Sequence, residues 1–148
     1  MPYSTKDDIL EQIAAAELVR LTDDADLGAV DEAVVARAIA DADAEIDAYL
    51  GERYTLPLSP VPALARKLSV DIALYNLYSR RLAAPEPRQR RYEDAKALLR
   101  EAARGLVALG EGAPAEEAAQ DLPEATTSAS ERRFTLGRGD TPGSLDDM

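Results

Sequence analysis

The run Asp41-Ala42-Asp43-Ala44-Glu45-Ile46-Asp47, with Glu52 further on, imitates the spacing of oxygen ligands in a calcium loop. Such a loop needs glycine at its sharp backbone turn, and this chain has Ile46 there. Ile46 instead continues a helical apolar repeat, so the run reads as an acidic helix surface, solvated or facing a neighbouring subunit. A second charged set is Arg80, Arg81, Arg88, Arg90 and Arg91, around the corner Ala84-Pro85-Glu86-Pro87. Such a patch could hold DNA phosphate, an acidic protein surface, or partners within its own chain. The formal net charge of −11 favours a protein surface over nucleic acid.

Few other residues could carry a reaction. The chain has no cysteine and no histidine, which excludes disulfides, thiol nucleophiles, imidazole bases and Cys/His zinc sites. A serine nucleophile would depend on Lys6, Lys67, Lys96 or a carboxylate, and no such pair is recognisable. Gly137-Arg138-Gly139 follows no strand and is not a phosphate loop. The expectation is a protein without catalytic residues, cofactor or metal, acting through its surfaces. No apolar run approaches membrane-spanning length, and the N-terminus does not read as a signal peptide.

Helices must position these residues. Ser4 or Thr5 can cap a first helix, with Asp7 and Asp8 in its first turn and an apolar face of Ile9, Leu10 and Ile13. A short helix over 16–21 and a loop over 22–28 follow. Asp31 caps the next helix, which runs to Leu50 and stops at Gly51. Val35, Ile39, Ala42, Ile46 and Tyr49 recur at steps of three and four, one helical stripe. A helix from about Val61 to Leu82 carries two stripes, one of Leu64, Leu68, Ile72 and Tyr75, the other of Val70, Leu74 and Leu77. It should be central. Asp71 lies among them and needs a partner such as an arginine or a tyrosine hydroxyl. The last helix is expected from about Arg88 to Leu109, on Tyr92, Ala95, Leu99, Ala102, Leu106 and Leu109, ending at Gly110-Glu111-Gly112.

Between the second and third of the longer elements stands "LGERYTLPLSPVP". Pro57, Pro60 and Pro62 stiffen this link, so it sets a definite angle between helices and holds Arg53 and Tyr54 in place. The fold expected is an all-α bundle of about four main helices with a proline-rich connector and an extended C-terminal arm. Its core should be thin, because much of the 46% hydrophobic content is alanine and aromatics are 5%.

Charge is uneven. Residues 1–50 carry net −10, residues 51–100 net +5 and residues 101–148 net −6. That suits head-to-tail contact between copies, although ordinary solvated helix faces would look the same. Domain organisation reads as a helical domain over 1–110 and an acidic linker with a C-terminal arm over 111–148, ordered on partner binding. Arg132-Arg133-Phe134 holds the only phenylalanine, in a region with no core of its own. Arginine and aromatic residues are typical interface anchors.

Five segments carry a family resemblance: "YSTKDDILEQ", "ELVRLTDD", "ADADAEIDAYLGERYTLPLSPVP", "LARKLSVDIALYNLYSRR" and "ERRFTL". With them the chain resembles the Mu-like prophage family of small head–tail connector proteins, the central block being the most specific part. The resemblance implies a structural adaptor. It would close into a ring, usually a dodecamer, dock under the portal protein and meet neck or tail-completion proteins, with DNA passing through the lumen without specific binding. Its place would be the head–tail neck of a virion, or of a gene transfer agent, assembled in the bacterial cytoplasm. By analogy Arg132, Arg133, Phe134 and Leu136 would anchor an arm on the portal. Asp41, Asp43, Glu45, Asp47, Arg53, Tyr54, Arg80, Arg81, Arg88, Arg90 and Arg91 are the expected subunit-interface residues. The alternatives are a helical interaction or regulatory module, and a nucleic-acid binder using the Arg80–Arg91 patch.

Overall fold

Five α-helices account for most of residues 1–81 and 83–110, the part of the chain that the computed structural model describes. They are α1 (Lys6–Leu10), α2 (Ala15–Thr22), α3 (Glu32–Leu50), α4 (Ala63–Arg81) and α5 (Glu86–Ala103). The fold is all-α, a small helical bundle, with no β-strand among the described residues.

Local chemistry sets the helix starts. Thr5 caps α1 through a reciprocal capping box with Asp8. The Asp31 carboxylate accepts the N–H groups of Ala33 and Val34 and so caps α3. Pro87 falls in the first turn of α5, where its missing N–H costs nothing, so the helix begins at Glu86.

α4 is the centre of the bundle. Its buried residues lie on more than one side: Ala65, Leu68, Val70, Ile72, Ala73, Leu74, Leu77 and Tyr78. α3 packs antiparallel to it, bringing Asp43 to Ser69, and α5 folds back around Pro85 to bring Tyr92 to Tyr75. Buried alanines at the seams (Ala42, Ala65, Ala73, Ala95, Ala102) let the helix backbones approach closely. Ile46, Leu50, Ile72, Leu74, Leu77 and Leu99 fill the volume between them. α1 and α2 add Ile9, Ile13, Leu18 and Leu21 to the same core.

α5 is shorter than the apolar repeat suggested. It ends at Ala103, because Gly105 takes φ +77°. The Gly105 N–H donates to the Ala102 carbonyl at 3.0 Å and the Leu106 N–H to the Glu101 carbonyl at 2.9 Å, a Schellman ending. Leu109 still reaches the core, whereas Leu106 is turned outwards.

The proline link turns inwards as well. Tyr54 and Leu58 are buried, and Leu56 and Val61 pack partly against the core. Pro57 and Pro60 each follow a cis peptide bond.

Candidate functional site

The acidic run of α3 does not form one face. Asp43 and Asp47 lie on one flank of the buried Ala42–Ile46–Leu50 stripe, and Asp41 and Glu45 on the other, as steps of four on a helix require. Asp43 accepts the Tyr3 N–H at 2.9 Å and the Ser69 hydroxyl at 2.7 Å. Asp47 accepts the Tyr3 hydroxyl, which in turn accepts the Leu58 N–H at 3.2 Å. Ser4 and Ser69 lie 2.7 Å apart, Oγ to Oγ. A polar network therefore joins the N-terminus, α3, α4 and the proline link. Burial pushes the Asp43 carboxyl up from its ordinary value despite the two donors. Burial first, and then the bond to Asp47, push the Tyr3 phenol up to about 12.

On the other flank, Glu45 accepts the Tyr92 hydroxyl at 3.0 Å. Tyr92 stacks on Tyr75 with ring centroids 4.0 Å apart, and the Lys96 ammonium lies 4.6 Å from the Tyr92 centroid. Asp41 is exposed and borders an open groove of about 500 Å³ between α3 and α4, with Arg37, Asn76 and Arg80. An acidic surface built from all four carboxylates is thus corrected: three of them hold other parts of the same chain.

Most of the arginine patch is engaged within the chain, although Arg80, Arg81, Arg90 and Arg91 remain exposed. Arg80 pairs with Asp24 and donates to the Leu21 carbonyl at 3.2 Å. Arg81 donates to the Asp23 carbonyl at 2.5 Å and to Asp24 at 3.2 Å. The two cations cover the C-terminal end of α2, where unpaired carbonyls favour positive charge. Arg88 donates to the Gln12 carbonyl at 3.2 Å and Arg91 to the Gln12 side chain at 3.1 Å. Arg91 is also the partner of Asp71, at 3.6 Å. Burial raises the Asp71 carboxyl, and Arg91, Lys67 and Arg88 offset part of that. Arg90 alone makes an ordinary exposed pair along its own helix, with Glu86 at 2.7 Å.

Two further expectations meet the structure differently. Tyr54 is only 6% exposed, so its ring belongs to the core of the bundle. Arg53 is partly exposed and lies across Gly105, beside the end of α5. Arg132, Arg133, Phe134 and Leu136 lie outside the described residues. Among those that are described, no helix is long and apolar enough to cross a membrane, and no cluster of acidic side chains could hold a metal ion.

The Tyr3–Ser4–Ser69 network escaped sequence reasoning. Its signal was a serine inside the two-sided α4 stripe, level with carboxylates four residues apart on α3. The stacked tyrosines registered only as stripe positions.

The fold and these contacts define a small helical-bundle protein whose charged, hydroxyl and aromatic side chains lock its helices together. The chain belongs to the Bacteriophage Mu Gp36 family, whose model matches residues 3–127. It is similar to the Mu-like prophage FluMu protein gp36 of Haemophilus influenzae, 33% identical over 108 residues that cover 73% of this chain and 75% of the relative. It is also similar to gene product J of Escherichia phage Mu, 39% identical over 79 residues, 52% of this chain and 55% of that protein.

Proposed function

We propose that this Mu-like phage protein is a structural head–tail connector. It forms a ring, a dodecamer by analogy, that docks under the portal protein and offers its other side to neck and tail-completion proteins. It acts without catalytic residues, cofactor or metal, in the neck of the particle, and DNA passes through the ring without specific binding. The observation that carries this reading is the match to a phage family over residues 3–127. The bundle suits the role, because its polar contacts brace it as a rigid block and leave its ends for docking. Arg132, Arg133, Phe134 and Leu136 would anchor an arm on the portal.

Phosphate binding by the Arg80–Arg91 group is disfavoured, since four of its five guanidiniums are held by Asp24, Asp71, Gln12 or the α2 carbonyls. The test is cryo-electron microscopy of the full chain with a Mu-like portal protein, beside a version truncated after Gly112. A ring under the portal with an ordered arm, the arm and binding lost on truncation, supports the reading. A compact monomer that ignores the portal in both forms overturns it.

A further inference from the structure

Two leucines stand out from the surface. Leu27 is 81% exposed and Leu106 is 72% exposed; with Met1 they are the exposed large hydrophobic residues among those described. Each sits at one end of the bundle. Leu27 precedes α3 and Arg53, beside Gly105, follows it, and α3 spans 19 residues, about 28 Å of helix.

The Leu27 end is acidic and stiff. The Asp23 carboxylate accepts the Leu27 N–H at 2.9 Å and the Gly28 N–H at 2.6 Å, which holds the loop in shape. Arg80 and Arg81 take Asp24, and Lys6 takes Glu32. Asp23, Asp26 and Asp31 have no cationic side chain within ion-pair distance among the described residues, although Arg20 and Arg81 border the same hollow as Asp23 and Asp26 and offset part of this charge.

The Leu106 end is basic. Arg53 lies against Gly105, and Arg100 and Arg104 occupy successive turns at the end of α5. None of the three reaches a carboxylate within ion-pair distance among the described residues; Glu52 and Glu101 share that end. Each end thus has an apolar tip with a charged surround, the arrangement of a docking patch, and the two surrounds have opposite sign.

We propose that copies of this chain join head to tail, the Asp23–Gly28 loop of one copy seating Leu27 against the Leu106, Arg53, Arg100 and Arg104 end of the next. The inference rests on the connector reading and names the contact that would build its ring. Like ends would set like charges together. Unlike ends pair them and leave one free patch at each end, so that the contact propagates until it closes.

The absence of cysteine makes the test direct. Leu27→Cys and Leu106→Cys place single thiols at exposed positions, where folding should be undisturbed and can be checked by circular dichroism. A short bis-maleimide should cross-link an equal mixture of the two full-length variants and neither variant alone. Raising salt from about 0.1 M to about 1 M should weaken the product several-fold, as the Debye length falls from about 10 Å to about 3 Å. Cross-linking within either variant alone, or none in the mixture, overturns the contact. The same samples are then imaged with the portal protein. A ring without the 27–106 cross-link sinks this contact and keeps the connector reading, whereas no ring and no cross-link sinks both.

Discussion

The Ser69 hydroxyl donates to the Asp43 carboxylate at 2.7 Å and so pins the middle of α4 to the middle of α3. Ser69 has one proton and spends it on Asp43, so the Ser4 hydroxyl, 2.7 Å away, must donate to Ser69. Replacing Ser69 by alanine removes both links and strands a buried hydroxyl. The expected cost is about 1–3 kcal/mol. Ser79→Ala, at an exposed position on the same helix, should stay within about 0.5 kcal/mol. Urea unfolding of both variants checks this, and equal midpoints would show that the network contributes nothing.

Asp71 predicts an unusual pH dependence. Burial raises its carboxyl above the ordinary 3.8, so the folded chain holds that proton more tightly than the unfolded chain. Its contribution to stability is complete below the unfolded value and is lost as pH rises through the folded one. Near neutrality the ionised Asp71 therefore subtracts from stability, even with Arg91, Lys67 and Arg88 facing it. Asp71→Asn should gain on the parent chain as pH rises from about 4 to about 7. Denaturation midpoints across that range measure the difference. An advantage that shrinks with rising pH would mean that the Arg91 pair outweighs burial. Asp43, also raised by burial, acts in the same direction.

Three tyrosines should ionise late. Burial, and then bonds to Asp47, Glu17 and Glu45 respectively, push Tyr3, Tyr78 and Tyr92 up to about 12. Each neutral phenol is favoured by the folded state, so its contribution is complete below the ordinary value of 10.0 and is lost as pH rises from there through about 12. Ultraviolet titration of tyrosinate should show a late component that shrinks when any one of the three becomes phenylalanine. A late component unchanged by Tyr92→Phe would mean that burial and the Glu45 bond do not hold this phenol neutral in solution.

Elements were more legible than contacts. Asp31, the Val35–Ile46 stripe and Gly51 marked α3 because cap, period and stop all agreed, and α3 spans Glu32–Leu50. The two stripes of α4 placed it centrally for the same reason. The apolar repeat runs past the end of α5 at Ala103, because Leu106 and Leu109 keep the helical steps. The one dissenting signal is Gly105, a residue type that a helix interior tolerates at a cost of about 1 kcal/mol, so its presence alone does not mark an end. The charged runs showed their types but not their partners. Tyr3 meets Asp47, and Arg91 meets Gln12, across distances in sequence that no local period encodes. Periodicity says which face a residue occupies; only packing says which neighbour stands opposite.

Gly105 is the position where that lesson can be measured. A Cβ there would collide with Arg53 Cζ and lie 2.6 Å from both of its terminal nitrogens, on a backbone at φ +77°. Gly28 shares the strained conformation, at φ +73°, but has nothing within 4 Å. Gly28→Ala should therefore cost only the left-handed backbone, about 1–2 kcal/mol. Gly105→Ala should cost that and also displace Arg53. The guanidinium ends a flexible side chain, so it should swing away and leave the fold intact, adding less than about 1 kcal/mol. In an Arg53→Ala background the added cost should vanish, leaving Gly105→Ala equal to Gly28→Ala. A double-mutant cycle by urea unfolding separates the two contributions. If Gly105→Ala costs the same with and without Arg53, the side chain does not lie across this turn in solution, and the basic end of the bundle is arranged differently.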